Sequence, residues 1–131
     1  MTALYFDSSA FVKIVVDEPG SAALRTFLAA QQARHVSSAL LRTEAIRAVR
    51  HLGPDALATV REALRRVDLV AIDDRILDAA GTLEPGILRT LDAVHLATAL
   101  TLGDDLESVV TYDDRMADGA RLLGLSMIAP R

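Results

Sequence analysis

The chain has 131 residues, 51% of them hydrophobic, which is enough apolar material to bury the core of one compact domain. Its net charge of −4 argues against a protein that binds nucleic acid through a general basic surface. It has no cysteine and only three scattered histidines, so disulfides, thiolate nucleophiles and cysteine-ligated zinc are excluded, and any metal must be held mainly by oxygen.

The apolar pattern predicts short strands that alternate with helices along the whole chain. In chain order, the first half predicts a strand at 3–7, a helix capped by Ser8 and Ser9 that reaches Val16, a helix capped by Ser21, a strand at 35–37, and a helix from Ser38 to about Leu52. The second half predicts a helix capped by Asp55 that ends near Arg66, a strand at 67–72, and a helix opened by Asp73 that breaks around 81–86. It then predicts a helix that Thr90 precedes and that runs through Leu102, a strand at 108–111, a helix that starts at Asp113 or Asp114 and is closed by Gly124, and an edge strand at 126–129.

This alternation predicts a single α/β domain over residues 1–131, with a mainly parallel central sheet flanked by helices on both faces. No apolar run approaches the length of a membrane span, and the first residues lack the basic start of a secretory signal. We therefore expect a cytoplasmic protein with no membrane partner.

Two acidic residues follow predicted strands. Asp7 comes directly after the first apolar run, and Asp113 comes directly after the apolar run at 109–112. Because ligands bind beyond the carboxyl ends of parallel strands, we expect both carboxylates at that edge of the sheet. Each position is equally compatible with a simple cap of the helix that follows.

Two further acids lie in predicted helices. Glu44 lies in the middle of its helix, on or beside the buried stripe, where an isolated carboxylate is unfavourable. Arg47, one turn later, could satisfy it in a helix salt bridge. Asp92 lies in a first turn, where the helix dipole favours any acid. His95 follows on the same face, and we interpret it as packed on the core or hydrogen-bonded to nearby backbone.

As a set, these residues resemble the PIN-domain pattern. The matching segments are Leu4–Lys13, Glu44 in a mid-chain helix, Leu91–Ala97 and Val110–Asp113, and the resemblance extends over essentially the whole chain. Length and motifs are most similar to those of bacterial VapC toxins, which are metal-dependent ribonucleases held inactive by a partner antitoxin. The family often has an aromatic residue shortly after the last motif, where this chain has Arg115 and Met116, so we expect altered packing there.

The resemblance implies a three-layer PIN-like domain with an acidic metal site. The acids that hold Mg²⁺ or Mn²⁺ in the family match Asp7, Glu44, Asp92 and Asp113, with Asp114 as an alternative for the last position. Ser9 and Thr111 match hydroxyl positions that orient a carboxylate or a bound water. Carboxylates gathered in one cleft repel each other unless a hard divalent cation neutralises them.

The resemblance also implies an activity and partners. The activity is hydrolysis of RNA phosphodiester bonds by a metal-activated water, which leaves a 5′-phosphate and a 3′-hydroxyl. The partners are a VapB-like antitoxin, whose arginine could enter the acidic cleft, and a second copy of the chain in a homodimer.

RNA must reach an acidic cleft with electrostatic help from elsewhere, and thirteen of the fourteen cationic residues are arginine, which pairs with phosphate through two parallel hydrogen bonds. The candidate RNA contacts that flank the site in sequence are Arg42, Arg47, Arg75, Arg89 and Arg115. A high-GC genome explains an arginine-rich composition equally well, and exposed arginines on helices usually form a solvated face.

Two other classes of function compete with a nuclease. One is a phosphate-handling α/β domain, either a receiver or a haloacid-dehalogenase-like phosphatase. The phosphatase needs a second acid two residues after its nucleophile, where this chain has Ser9, and the receiver needs a late strand-end lysine, whereas the only lysine is Lys13. The other is a non-catalytic binding module on the same scaffold, which the retention of all four acids disfavours.

Overall fold

Five strands form one sheet in the computed structural model, which describes residues 1–131. The strands are β1 (Ala3–Phe6), β2 (Arg34–Ser38), β3 (Asp68–Val70), β4 (Leu106–Val110) and β5 (Met127–Ile128). Their order across the sheet is β3-β2-β1-β4-β5, and every neighbouring pair is parallel. The predicted mainly parallel sheet is confirmed, and the carboxyl ends of all five strands lie at one edge.

Seven helices connect and cover the strands. They are α1 (Ser8–Val15), α2 (Ser21–Ala29), α3 (Leu41–Val49), α4 (Pro54–Leu64), α5 (Asp74–Thr82), α6 (Thr90–Leu100) and α7 (Asp114–Leu122). Short 3-10 turns follow α3 and α6 at Arg50–Leu52 and Gly103–Asp105. None of the helices is long and apolar enough to cross a membrane.

The central strand β1 is buried on both faces, which explains why its sequence is continuously apolar. Leu4 and Phe6 pack with residues of α1 and α2 on one face of the sheet. Ala3 and Tyr5 pack with Ala99 of α6 on the other face. Because side chains alternate across a strand, this division shows that helices cover both faces, so the predicted three-layer arrangement is confirmed.

The predicted caps of α2 and α4 are wrong. Gly20, at φ 92°, precedes α2, while the Ser21 hydroxyl instead donates to the carbonyl of Val16 and accepts from the amide of Glu18, which closes the preceding turn. Gly53 precedes α4 with Pro54 as its first residue, so the start is set one residue before Asp55. Proline favours this position because its fixed φ suits a helix and its missing amide proton has no helical partner there.

The start of α3 also differs from the prediction. Ser38 pairs with Val70 in the sheet, and the helix begins only at Leu41. Glu44 therefore lies in the first turn of α3 and not in the middle of the helix. This shift matters because the first turn lies at the carboxyl edge of the sheet.

Candidate active site

Four acidic residues from separate elements lie at the carboxyl edge of the sheet. Asp7 follows β1 and Asp113 follows β4. Glu44 and Asp92 lie in the first turns of α3 and α6. In a parallel sheet the connecting helices run back against the strands, so their first turns lie at the same edge as the strand ends. The fold thus gathers four acids that are distant along the chain.

Asp7 is the most buried of these acids, at 3% exposure. One carboxylate oxygen accepts from the Ser9 hydroxyl at 2.7 Å and from the amide of Ala10 at 3.0 Å, so Asp7 and not the serine pair caps α1. The other oxygen accepts a short hydrogen bond from the Thr111 hydroxyl. All these donors are neutral, and burial raises the pKa of Asp7 although the hydrogen bonds act in the opposite direction.

The two hydroxyls next to Asp7 join the ends of β1 and β4. Thr111 Oγ1, which donates to Asp7, accepts from the amide of Asp113 at 3.1 Å. Ser9 Oγ accepts from the amide of Tyr112 at 2.9 Å. Asp113 in turn caps α7, because its Oδ1 accepts from the amide of Arg115 at 2.9 Å. One threonine side chain therefore links the carboxylate of Asp7 to the backbone amide of Asp113.

A single arginine bridges two of the acids. Arg89, directly before α6, donates from Nε to Asp92 at 3.2 Å and from a terminal nitrogen to Asp113 at 3.0 Å. The Arg89 side chain is 58% exposed, whereas that of Asp92 is only 12% exposed. The guanidinium thus lies over the outer side of the site and neutralises charge on both carboxylates. We call this arrangement the Arg89 bridge.

Glu44 is held by a buried histidine. Its carboxylate contacts His95 Nε2 at 2.6 Å, and His95 Nδ1 contacts the Tyr5 hydroxyl at 2.7 Å. Because a carboxylate only accepts, Nε2 carries the proton of the first bond, and in neutral imidazole Nδ1 then accepts from the tyrosine. Burial raises the pKa of Tyr5, which keeps its hydroxyl protonated as that donor.

This chain of contacts decides between the alternatives for two residues. Glu44 pairs with His95 and not with Arg47. His95 is packed in the core, as one of its two interpretations expected, and it bonds to side chains and not to nearby backbone. The partners of His95 lie 51 and 90 residues away in the sequence, so no local pattern could identify them. The available signal was the position of His95 one turn after Asp92 on a helix whose neighbouring residues are almost all buried.

Sequence comparison identifies the family of the chain. The sequence profile of the PIN domain matches residues 4–122. The chain belongs to the PIN-domain family. Ribonuclease VapC46 of Mycobacterium tuberculosis is 54% identical over 130 residues, which is 99% of this chain and 99% of that protein. Ribonuclease VapC35 of the same organism is 39% identical over 130 residues, which is 97% of this chain and 96% of that protein. These relatives place the chain among the VapC-like PIN domains.

Solved structures show that the fold extends over the full chain. The crystal structure of VapC20 from Mycobacterium tuberculosis, described as a sarcin-ricin loop cleaving toxin, has a TM-score of 0.77 at 14% identity and covers 97% of this chain and 99% of its own. A toxin-antitoxin complex from Klebsiella pneumoniae has a TM-score of 0.74 at 19% identity, with 98% of each chain covered. At these identities the likeness concerns the PIN fold alone.

The acids of this PIN domain form one neighbourhood but not a closed ligand cage. No three of its acidic or histidine side chains lie close enough to share one metal ion in this arrangement. Each acid is instead satisfied by a group of the chain itself: Asp7 by neutral donors, Glu44 by His95, and Asp92 and Asp113 by Arg89. Asp114 is exposed at the start of α7 and has no hydrogen bond to these groups.

The candidate RNA contacts lie in different surroundings. Arg89 is held by two acids, as described above. Arg42 and Arg47 are exposed on α3, and Arg115 is exposed in the first turn of α7. Arg75 lines a separate cavity of about 510 Å³ between α5 and α6 that includes none of the four acids.

Proposed function

We propose that this VapC-like PIN domain is a Mg²⁺- or Mn²⁺-dependent endoribonuclease in which Asp7, Glu44, Asp92 and Asp113 hold the metal. The observation that carries the proposal is the gathering of these four acids at the carboxyl edge of the sheet. Arg89 bridges Asp92 and Asp113, and Thr111 connects the Asp7 carboxylate to the backbone amide of Asp113. Glu44 is held separately by His95. The names of the relatives, which are VapC ribonucleases, support RNA as the substrate.

The side chains present fit a hard divalent cation in their chemistry. All four offer carboxylate oxygen, the donor that Mg²⁺ and Mn²⁺ prefer. Asp7 is buried with only neutral donors, so its charge has no cationic counterpart among its hydrogen-bond partners. The guanidinium held between Asp92 and Asp113 supports a common cation position for these two acids. To bind a metal ion there, the protein must release the Arg89 bridge.

The groups around the acids prepare the site for this chemistry. When bound, the ion supplies Lewis-acid chemistry, since it favours ionisation of a water and neutralises charge that develops on the phosphate. Ser9 and Thr111 fix the orientation of the Asp7 carboxylate, and His95 fixes that of Glu44. Because these supports are part-buried or buried, the carboxylates are held in defined directions before substrate arrives.

The same geometry supports an antitoxin partner of the VapB type. The Arg89 bridge demonstrates that the acidic edge accommodates a guanidinium. An arginine from an antitoxin segment can therefore occupy the same acids and exclude both metal and RNA. A solved structural neighbour is described as a toxin-antitoxin complex, which supports such a partner. A homodimer and a cytoplasmic location are further parts of this proposal.

Cleavage of a structured RNA with Mg²⁺, Mn²⁺ or EDTA tests the proposal. We expect cleavage only with metal, with products that carry a 5′-phosphate. Asp7→Asn and Asp92→Asn should each abolish it, whereas Asp78→Asn, an exposed acid on α5 outside the site, should cleave like the wild type. Comparing Asp113→Asn with Asp114→Asn assigns the last position. Cleavage that resists EDTA, or that survives Asp7→Asn, contradicts the mechanism.

A further inference from the structure

Two adjoining clefts beside α3 and α4 are rich in arginine. Their volumes are about 500 Å³ and 370 Å³, and they share Arg42 and Ile46. Five of the residues that line them are arginines, and no acid lines either cleft. We call this surface the arginine cleft, formed by Arg42, Arg47, Arg50, Arg61 and Arg65 over a floor that includes Ile46 and Leu64.

Most of the charge in the arginine cleft is not neutralised by the chain. Only Arg65 has an ion pair, with Glu62 at 3.1 Å, and both side chains are so exposed that the pair is weak. Arg42, Arg47, Arg50 and Arg61 form no ion pair, and all four are exposed. Elsewhere in the chain Arg25, Arg34, Arg89 and Arg121 are each paired with acids, and the unpaired arginines outside the cleft do not gather in one place with each other as these five do: they are Arg66, Arg75, Arg115 and Arg131. A chain with a net charge of −4 therefore concentrates positive charge at this place.

The arginine cleft lies next to the acidic site along α3. Arg47 follows Glu44 by one helical turn, and residues three apart are neighbours on a helix surface. Arg42 and Arg50 are eight residues apart, with Ile46 between them, and so span about 12 Å along the helix axis. Arg61 and Arg65 lie on α4 and at its end, so the positive surface is a cleft between two helices.

A positive cleft of this length beside an acidic site fits a single strand of a polyanion. Arginine binds phosphate oxygens through paired hydrogen bonds, so exposed guanidinium groups can follow a sugar-phosphate backbone. The remainder of this acidic protein repels RNA, and the acids of the site repel it most at the point of cleavage. Local attraction beside the site is therefore needed to hold the strand.

We infer that the arginine cleft binds the backbone of single-stranded RNA next to the segment at the acidic site. This inference rests on the proposed function, because it takes RNA as the substrate. The cleft contributes affinity without base readout, so binding depends on salt and hardly on sequence.

Binding of a labelled oligouridine in EDTA tests the inference without cleavage. Fluorescence anisotropy at several salt concentrations compares wild type, Arg50→Gln/Arg61→Gln and Arg66→Gln/Arg131→Gln. The control pair removes the same charge from exposed arginines that lie outside the cleft, form no ion pair and are not among the candidate RNA contacts. Loss of two phosphate contacts reduces the slope of log affinity against log salt by about 1.4, which is roughly a 25-fold loss at 0.1 M salt.

The control pair should lose no more than about threefold, since distant charges are screened over roughly 10 Å at this salt concentration. Equal losses for both pairs, or an unchanged slope for the cleft pair, overturn the inference. Tighter binding of an oligoglutamate peptide than of oligouridine also overturns it, in favour of an acidic protein partner.

The two proposals can fail separately. If the wild type cleaves RNA with metal but Arg50→Gln/Arg61→Gln binds oligouridine normally, the inference about the arginine cleft is wrong and the proposed nuclease activity stands. If no RNA is cleaved under any metal condition but Arg50→Gln/Arg61→Gln loses affinity as expected, the proposed nuclease activity is wrong and RNA binding by the arginine cleft stands.

Discussion

The Arg89 bridge should compete with a divalent metal ion, so its removal should increase metal affinity. In Arg89→Gln the charge that neutralises Asp92 and Asp113 is lost, while a polar side chain of similar length remains. The two carboxylates then repel each other, and an incoming cation no longer has to displace a guanidinium. We expect Mn²⁺ to bind more tightly to this variant than to the wild type.

The size of the effect follows from the exposure of the pair. Arg89 is 58% exposed, and ion pairs of this kind contribute about 0.2–1 kcal/mol each. Two such pairs give roughly 0.4–2 kcal/mol, which corresponds to a factor of about 2 to 30 in affinity. Solvent screening places the expected value nearer the lower end.

Isothermal titration calorimetry with Mn²⁺ measures this effect without reference to cleavage. Arg115→Gln is the matched control, because Arg115 is an exposed arginine next to Asp113 that forms no ion pair. It reports the general effect of removing one positive charge near the site. If Arg89→Gln gains no more affinity than Arg115→Gln, the bridge does not compete with the metal and the reasoning is refuted.

Two further predictions concern the supports of the acids. Without metal, Asp7→Asn should be more stable than the wild type at neutral pH. Burial raises the pKa of Asp7 above its unfolded value of 3.8, so the stabilisation that comes from its bound proton is complete below that value. This stabilisation is lost as pH rises through the folded pKa, at about 1.4 kcal/mol for each unit by which the two values differ. Identical slopes of unfolding free energy against pH for the two proteins in EDTA would argue against this account. Tyr5→Phe should destabilise the fold by about 1–3 kcal/mol in urea unfolding, because it leaves the buried Nδ1 of His95 unpaired. Tyr112→Phe removes a half-buried hydroxyl bonded to Pro130 and should destabilise the fold less. Equal losses of unfolding free energy in the two variants would show that the bond from Tyr5 to His95 stabilises the fold no more than this half-buried bond does.

The fold could be predicted from the sequence because its signals are local and agree with each other. The apolar run at 3–6 requires a strand buried on both faces, and the structure places β1 in the centre of the sheet. Asp73 caps α5, as its side chain favours, and Gly124 follows α7 with a positive φ, which glycine adopts easily. The errors arose where two local signals competed, as at Ser21, whose hydroxyl closes the preceding turn and does not cap the helix.

The partners of the candidate site residues could be predicted less well than their positions. Parallel strands all end at the same edge of a sheet, so the acids that follow β1 and β4 could be placed at this edge from the sequence alone. The bond from His95 to Glu44 and the bridge from Arg89 to Asp113 join distant residues. Such pairs depend on how α6 packs against the sheet, and a helical period does not specify this. Arg89 could be identified as a cation near the site, but not as a partner of its acids.

The chain neutralises its four acids in different ways, and this difference determines what a metal ion has to displace. Glu44 is bound to a buried imidazole that is itself fixed by Tyr5, so releasing it would disturb the core. Asp92 and Asp113 share one exposed guanidinium that can move into solvent, provided that the arriving ion takes over the nearly buried carboxylate of Asp92. Asp7 has only neutral donors, which can remain bound while a free oxygen lone pair accepts a cation. Metal entry should therefore exchange Arg89 first and leave the hydrogen bonds of Asp7 and Glu44 intact, because only that exchange occurs at the surface.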